Sequence, residues 1–106
     1  MDLVSFDLCE GNPGALTFMM NAYHKHAFLA EAGFSRMQRH NIKGPQLYIL
    51  WNDCCNRDIE KAMHVMVHMP FHILTDYLDT GCGRGKIISD EEAYKWQYSH
   101  RKEDDK

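Results

Sequence analysis

The segment from Gly44 to Asp58 constrains the fold more than any other stretch of this chain. Gly44-Pro45 interrupts the preceding structure and then favours a helix start, because proline at the first helical position has no backbone N–H to leave unpaired. An apolar stripe at helical spacing follows, formed by Leu47, Leu50, Trp51 and Cys54 and widened by Tyr48, Ile49 and Cys55. A helix that is apolar nearly all round is typical of a domain interior. We therefore expect it to lie in the middle of the protein.

Start and stop signals before this segment predict two more helices. Asn12 and Pro13 have the residue types of an N-cap and a first helical position. They predict a helix that runs to about His24 and turns inward the apolar set Leu16, Met19, Met20 and Tyr23. A further helix is expected over residues 26–39, with its inner face formed by Ala27, Ala30, Phe34 and Met37. Over residues 3–9 we expect a short helix, with an extended arm as the alternative.

Similar signals after the central segment predict the remaining helices. Asn56 or Asp58 is the expected cap of a helix whose apolar residues are Ile59, Ala62, Met63 and Met66. Pro70 ends that helix and opens a short one, and residues 80–85 are expected to form a glycine-rich loop. Ser89 to Glu92 matches a capping box and starts the last helix. The sequence thus predicts an all-α, compact single-domain bundle of five to seven short helices over residues 1–100, with a charged C-terminal tail at 101–106.

Composition narrows the class of protein. The chain has 106 residues and a net charge of −3, and no apolar run approaches the roughly 20 residues that a membrane span needs. No membrane partner is expected, and the N-terminus lacks the basic region of a signal peptide. The four cysteines occur without secretory context, so reduced thiols and a cytoplasmic location are the default expectation.

A basic stretch between residues 24 and 43 is the predicted partner-binding site. It holds four cations against the single acid Glu31, and the cations are Lys25, Arg36, Arg39 and Lys43. Arg36 and Arg39 lie three residues apart and would share a helix face. Such a patch fits an acidic protein surface or nucleic acid, although nucleic-acid-binding domains are usually strongly basic overall. A solvated helix face is the plainer interpretation.

Histidines and cysteines offer two further candidates. His64 and His68 are one helical turn apart and could hold zinc together with Cys82 or His100, although the spacing lacks the glutamate of a metalloprotease motif. Otherwise these histidines lie on a polar helix face. No other cofactor is expected.

Cys54 or Cys55 could act as a nucleophile beside a histidine. The plainer interpretation makes both cysteines small core residues, with Asp53 and Asp58 capping the next helix or pairing with Arg57. Gly81-x-Gly83-x-Gly85-Lys86 could cradle a phosphate, but it lacks the preceding strand and the Lys-Ser/Thr pair of a P-loop, so a flexible connector is the favoured interpretation. No complete acid–base or nucleophile set is recognisable, so an enzyme is not expected.

Two motifs carry a resemblance to other proteins. Glu10 to Phe18 reads E-G-N-P-G-A-L-T-F, Leu47 to Asp58 reads L-Y-I-L-W-N-D-C-C-N-R-D, and F-S-R-M lies between them. Together they resemble small uncharacterised proteins of Gram-positive bacteria and their phages, over most of the chain from Glu10 to about Gly85. The resemblance brings no catalytic residue or cofactor. It implies a phage setting, in which small proteins often inhibit host machinery, as anti-CRISPR proteins do.

These observations favour an interaction or regulatory protein that acts by binding a macromolecular partner. The expected partner is a protein, and the resemblance implies an inhibitor of a host defence system. A zinc-supported helical domain and a nucleic-acid-binding module using residues 24–43 are the alternatives.

Overall fold

Six α-helices follow one another in the part of the chain that the structure describes. A computed structural model of the protein describes residues 4–81 and 87–98. Within them no strand occurs, which confirms the all-α fold class. A 3-10 turn at Phe6–Cys9 precedes the helices and another at Trp96–Tyr98 follows them. The helices are α1 (Pro13–Lys25), α2 (Ala27–Arg39), α3 (Pro45–Tyr48), α4 (Ile59–His68), α5 (Phe71–Asp76) and α6 (Asp90–Lys95).

The predicted caps are in place at three helix starts. Asn12 accepts a hydrogen bond from the Ala15 amide at 2.9 Å, which satisfies one of the unpaired amides of the first turn of α1. The side chain of Asp58, rather than Asn56, caps α4. Ser89 accepts from the Glu92 amide at 3.1 Å and opens α6. Each of these contacts joins residues three positions apart, so local sequence alone specifies them.

Helices α3 and α5 each continue into a π-helical segment, which the sequence does not predict. α3 is followed by Ile49–Cys54 and α5 by Tyr77–Gly81, and the two π-helical segments pack against each other. Thr80 and Gly81, which were predicted to open a glycine-rich loop, belong to the second π-helical segment, and residues 82–86 of that predicted loop lie outside the described residues. π-Helical turns are rare and often accompany functional sites.

The core gathers around α4. This helix packs against α1, α2 and α6 as well as the Ile49–Cys54 segment. Close approach of α2 depends on Gly33, because a Cβ there would lie 3.1 Å from the Cβ of Met66. The side chains of the predicted central stripe, Leu47, Leu50, Trp51 and Cys54, are all buried as expected. The prediction that this segment is the middle helix is corrected, because α4 occupies that place.

The inner face of α1 differs from the predicted one. The buried residues are Ala15, Phe18, Met19 and Ala22, whereas Leu16 and Met20 are exposed. Apolar residues occupy both stripes of α1 at helical spacing, so periodicity alone does not tell which stripe faces the core. The buried stripe is the one that packs Phe18 between Phe34 and Trp51, with ring centroids 5.1 and 5.3 Å away. Two large apolar side chains consequently remain on the surface.

The described helices include none with both the length and the apolar character needed to cross a bilayer. The described residues form one compact helical unit, about 31 by 28 by 23 Å. The charged tail predicted at 101–106 lies outside them.

Candidate binding cleft and adjoining surface

The predicted basic patch does not form one surface, because Arg36 points into the protein. Arg36 is only 3% exposed, and its Nη1 donates a hydrogen bond to the carbonyl oxygen of Met66 at 3.0 Å. Met66 lies in the last turn of α4, where carbonyl groups lack intrahelical partners and a positive charge is favourable. Arg36 therefore caps the C-terminal end of α4 from the neighbouring helix, and it does not share an exposed face with Arg39.

Two of the other three cations of this patch, Lys25 and Arg39, lie at the ends of different helices. Lys25 ends α1 and Arg39 ends α2, so α2 separates them by about 18 Å along its axis. Both are exposed. Lys43 faces Glu10, with 3.6 Å between Nζ and Oε2. A partner-binding role for Lys25, Arg39 and Lys43 stays a prediction.

The predicted zinc ligands are only partly within the described residues. The rings of His64 and His68 lie 5.7 Å apart between centroids, as their spacing predicts. The Nδ1 atom of His64 is buried without a hydrogen-bond partner, and the ring of Tyr94 lies 4.6 Å away. Cys82 and His100 lie outside the described residues. Among the residues described, no group of three or more His, Cys, Asp or Glu side chains could hold a metal ion.

The described cysteines have the character of structural groups. Cys55 is fully buried, and burial raises the pKa of its thiol to about 12, which disfavours the thiolate that a nucleophile requires. Burial also raises the pKa of Cys9, whose Sγ donates to Met19 Sδ at 3.1 Å. Cys54 is disulfide-bonded, whereas Cys9 and Cys55 are free. The expectation that every cysteine is a reduced thiol is therefore wrong for Cys54.

The two motifs noted in the sequence meet in one cleft. Its volume is about 480 Å³, and its lining comes from the N-terminal end of α1 and from the segment 48–57. The first motif contributes Asn12, Pro13, Gly14 and Thr17, and the second contributes Tyr48, Trp51 and Arg57. Residues 19–46, which are 28 residues, separate the two motifs in sequence, so only the packing of α1 on α3 joins them. We call this site the motif cleft.

Arg57 forms one wall of the motif cleft and is held from three sides. Its guanidinium lies over the Trp51 ring, 4.9 Å from the ring centroid. Its Nε donates to Asn52 Oδ1 at 2.7 Å and its Nη2 donates to the Tyr48 hydroxyl at 3.3 Å. Its backbone is left-handed, with φ of 63°, and that of Asn56 is left-handed too, with φ of 53°. Non-glycine residues keep such backbone angles only where their surroundings impose them.

The opposite wall depends on a glycine. A Cβ on Gly14 would lie 2.6 Å from Cε1 of Tyr48, so only glycine lets the tyrosine ring rest on the start of α1. Below the ring lies Trp51, which is 4% exposed and stacks on Phe18 with an interplanar angle of 6°. The indole Nε1 of Trp51 is buried and has no hydrogen-bond acceptor in the described structure. The residues that line the cleft include the N–H or O–H groups of Asn12, Thr17, Tyr48 and Arg57.

An exposed apolar strip adjoins the motif cleft on α1. Leu16 and Met20 are one helical turn apart and are 38% and 54% exposed. Phe6, which is 49% exposed, lines a shared groove with Leu16 and packs edge-on against Tyr23 with 6.1 Å between ring centroids. Met20 lies between Leu16 and Tyr23 on the same helix face. Because Phe6 contacts Tyr23 and shares the groove with Leu16, the side chains of Phe6, Leu16 and Met20 form one patch. We call Phe6, Leu16 and Met20 the α1 strip.

Sequence analysis missed both surfaces for identifiable reasons. Leu16 and Met20 of the α1 strip were assigned to the core, although the doubled apolar stripe of α1 was a visible signal that one stripe would remain outside. The residues of the motif cleft were noted as motif residues, as helix caps, as members of the central apolar stripe or, for Arg57, as an ion-pair partner, and not as one site. No family model, curated protein or solved structure matches this chain.

Proposed function

We propose that this protein is a small interaction protein that acts by binding a macromolecular partner through the α1 strip. The supporting observation is the exposure of Leu16 and Met20 on a helix whose other face is packed, beside the exposed Phe6 of the preceding 3-10 turn. Contiguous apolar surface bordered by polar residues is typical of protein interfaces. The buried aromatic cluster beneath α1 holds the strip rigidly, which lowers the entropy cost of association.

The charge around the strip suggests the chemistry of the partner. Asp7 lines the groove that contains Phe6 and Leu16, and it is exposed. Glu10 follows three residues later, facing Lys43. An apolar partner surface flanked by basic side chains would complement this rim. The proposed partner surface is therefore basic, whereas the sequence predicted an acidic one. As the biological setting we propose inhibition of a host defence protein. The support for this setting is the resemblance to phage proteins.

A pair of matched variants tests the role of the α1 strip. Leu16→Asp/Met20→Asp places two charges on the strip, and Phe28→Asp places one on α2, where Phe28 is 94% exposed and outside the strip. All three proteins should unfold at similar urea concentrations, because each changed side chain is on the surface. Tagged proteins are then used to capture partners from host-cell lysate, and each captured protein is purified and titrated calorimetrically.

The expected result is one purified partner that binds the wild type and Phe28→Asp equally, and binds the strip variant at least about tenfold more weakly, as truncation of central interface contacts typically does. A partner that binds the strip variant as tightly as the wild type would refute the assignment. Sedimentation of the isolated protein distinguishes a second copy of this chain as the occupant, since self-association would depend on concentration and be lost in the strip variant.

A zinc-supported domain is the second candidate, favoured by the unpartnered Nδ1 of His64 beside His68. Zinc content of protein purified without chelator or affinity tag tests it. One zinc per chain that is lost in His64→Ala would establish the site, whereas zinc-free protein with native stability would reject it.

Nucleic-acid binding through residues 24–43 has less support because Arg36 is buried. A steep fall of DNA or RNA affinity with salt would restore it.

A cytoplasmic location is also a proposal. The disulfide at Cys54 is more typical of oxidising compartments, since cytosolic thiols are kept reduced. Alkylation of the protein in intact cells, followed by mass spectrometry of the peptide containing Cys54, decides the point. A fully alkylated Cys54 is expected for a reducing compartment, and protection of Cys54 from alkylation would contradict that location.

A further inference from the structure

We propose that this protein associates with a second copy of itself by seating Phe28 of one copy in the groove beside the α1 strip of the other. This groove has a volume of about 410 Å³ and is lined in part by Phe6, Asp7 and Leu16, and we call it the Phe6 groove. A second copy seated there would cover Leu16 and compete with the proposed partner. That regulatory consequence rests on the proposed function, whereas the association itself is measured on the isolated protein.

Phe28 forms an apolar projection on the protein surface. It is the second residue of α2 and is 94% exposed, the largest fraction among the exposed large apolar side chains of the described residues. An aromatic side chain that enters a pocket removes about 150 to 250 Å² of surface from water, and aromatic anchors seated in pockets dominate many interfaces. Almost none of this burial is realised for Phe28 within one copy.

The Phe6 groove has the lining and the space that a phenyl ring needs. Phe6, Pro13 and Leu16 contribute apolar side chains to it. Gly11 lines it without a side chain, and a Cβ built on this glycine would meet no atom within 4 Å, so open space adjoins the groove there. Its volume lies within the range of pockets that hold compact ligands.

The charges beside the two surfaces are opposite in sign. Asp7 is the charged residue of the Phe6 groove, and it is exposed and makes no ion pair within the described residues. Lys25, three positions before Phe28, is also exposed and without an ion pair in the described part of the chain. Glu31, the nearest acid to Phe28 in sequence, is buried. Seating Phe28 therefore brings a cation towards an anion, which favours and orients the association.

One copy of the chain cannot place Phe28 in its own groove. The Phe6 groove lies at the N-terminal end of α1, whereas Phe28 lies beyond the C-terminal end of this helix. α1 has 13 residues and is therefore about 20 Å long. Only a second molecule can combine the two surfaces. A contact built on one aromatic side chain belongs to the small, transient class of interfaces, so we expect a dissociation constant of about 0.1 to 1 mM.

Two single variants each remove one of the two surfaces. Phe28→Asp removes the projection and keeps the groove, whereas Leu16→Asp spoils the groove and keeps the projection. In sedimentation equilibrium, each variant alone should self-associate at least about tenfold more weakly than the wild type. Urea midpoints are measured beside these runs to show that both variants are folded.

Mixing the two variants provides the sharpest test. ¹⁵N-labelled Phe28→Asp still offers a groove, and unlabelled Leu16→Asp still offers Phe28. In ¹H–¹⁵N spectra of the mixture, the Gly11 amide peak of the labelled protein should shift along a saturable curve. Unlabelled Phe28→Asp, added in its place, should leave that peak unmoved. With the labels exchanged, the amide peak of Phe28 should shift instead.

Charge reversal tests the orientation of the contact without changing an apolar residue. Asp7→Lys and Lys25→Asp should each weaken self-association at least about twofold, because a surface charge pair is lost. The double variant Asp7→Lys/Lys25→Asp restores the pair with its signs exchanged and should self-associate as the wild type does. Glu60→Lys is the matched control, since Glu60 is an exposed acid outside the groove.

Three outcomes would overturn the proposal. The wild type could show no concentration-dependent shift of the Gly11 peak up to about 1 mM, Phe28→Asp could self-associate as tightly as the wild type, or the mixed variants could fail to bind each other. Saturable binding in the mixture that neither variant shows alone would support it. Failure of these measurements would leave the proposed protein partner in place, because that partner binds the α1 strip and does not need Phe28.

Discussion

Replacing Gly14 with alanine should destabilise this protein through a clash with Tyr48. The new methyl carbon would lie 2.6 Å from Cε1 and 2.8 Å from Cγ of the tyrosine ring, and closer still to Cδ1. Non-bonded carbon atoms prefer about 3.5 to 4.0 Å, so the ring must move by roughly 1 Å. The ring cannot move freely, because it packs edge-on against Trp51 with 6.3 Å between centroids and accepts a hydrogen bond from Arg57.

The size of the effect follows from two opposing contributions. Alanine in place of glycine within a helix normally stabilises by about 0.5 to 1 kcal/mol, because the unfolded chain loses conformational freedom. Forcing extra atoms into a packed contact typically costs about 1 to 3 kcal/mol. We expect the clash to dominate and the free energy of unfolding to fall by about 1 to 2 kcal/mol.

Urea denaturation of four proteins measures this coupling as a double-mutant cycle. The proteins are the wild type, Gly14→Ala, Tyr48→Ala and the double variant. In the Tyr48→Ala background the methyl group meets no ring, so Gly14→Ala should be neutral or should stabilise by up to about 1 kcal/mol. An equal loss of stability in both backgrounds would refute the explanation, because the cost would then not come from the contact with Tyr48.

Three further predictions follow from buried groups. Trp51→Ala should lower the free energy of unfolding by about 3 to 5 kcal/mol, and a stability in urea equal to that of the wild type would show that Trp51 is not a core residue. Arg36→Ala should cost about 1.5 to 3 kcal/mol by removing the charged hydrogen bond to Met66, and Arg39→Ala, measured beside it, should cost less than about 0.5 kcal/mol. Stability should also fall as the pH rises from about 9 towards 12. Burial raises the pKa of the Cys55 thiol from 9.0 to about 12 in the folded protein. The unfolded chain therefore loses this proton at lower pH than the folded protein does, which favours unfolding. Urea midpoints at pH 7 and pH 10.5 measure that loss, which should be smaller in Cys55→Ala; an equal loss in both proteins would assign it to other groups.

The ends of the helices could be predicted from the sequence because each end depends on a few neighbouring residues. Asn12, Asp58 and Ser89 each cap an amide three positions along the chain. Proline at position 45 starts α3, and Gly44 precedes it with a φ of +60° and a ψ of −132°, a conformation in which glycine has no steric penalty. Such contacts require no knowledge of the rest of the fold.

Burial on the strongly one-sided helices was predictable for the same reason. On α4 the apolar residues Ile59, Ala62, Met63 and Met66 occupy one face, and all four are buried. Lys61 is the exception, since it is buried yet reaches Asp90 at 3.1 Å. The aliphatic part of a lysine can be covered while its charge meets a partner, and that partner lies on a helix far along the chain.

The candidate surfaces were decided by tertiary structure. α1 carries two apolar stripes, and the packing of Phe18 between Phe34 and Trp51 determines which stripe is buried and which becomes the α1 strip. Arg36 and Arg39 are equivalent in sequence, but only Arg36 reaches a free carbonyl at the end of α4. The motif cleft exists because α1 and α3 pack together with Gly14 against Tyr48. Helical periodicity and caps are local properties of a chain, whereas these outcomes depend on contacts between residues about thirty positions apart, which no local pattern encodes.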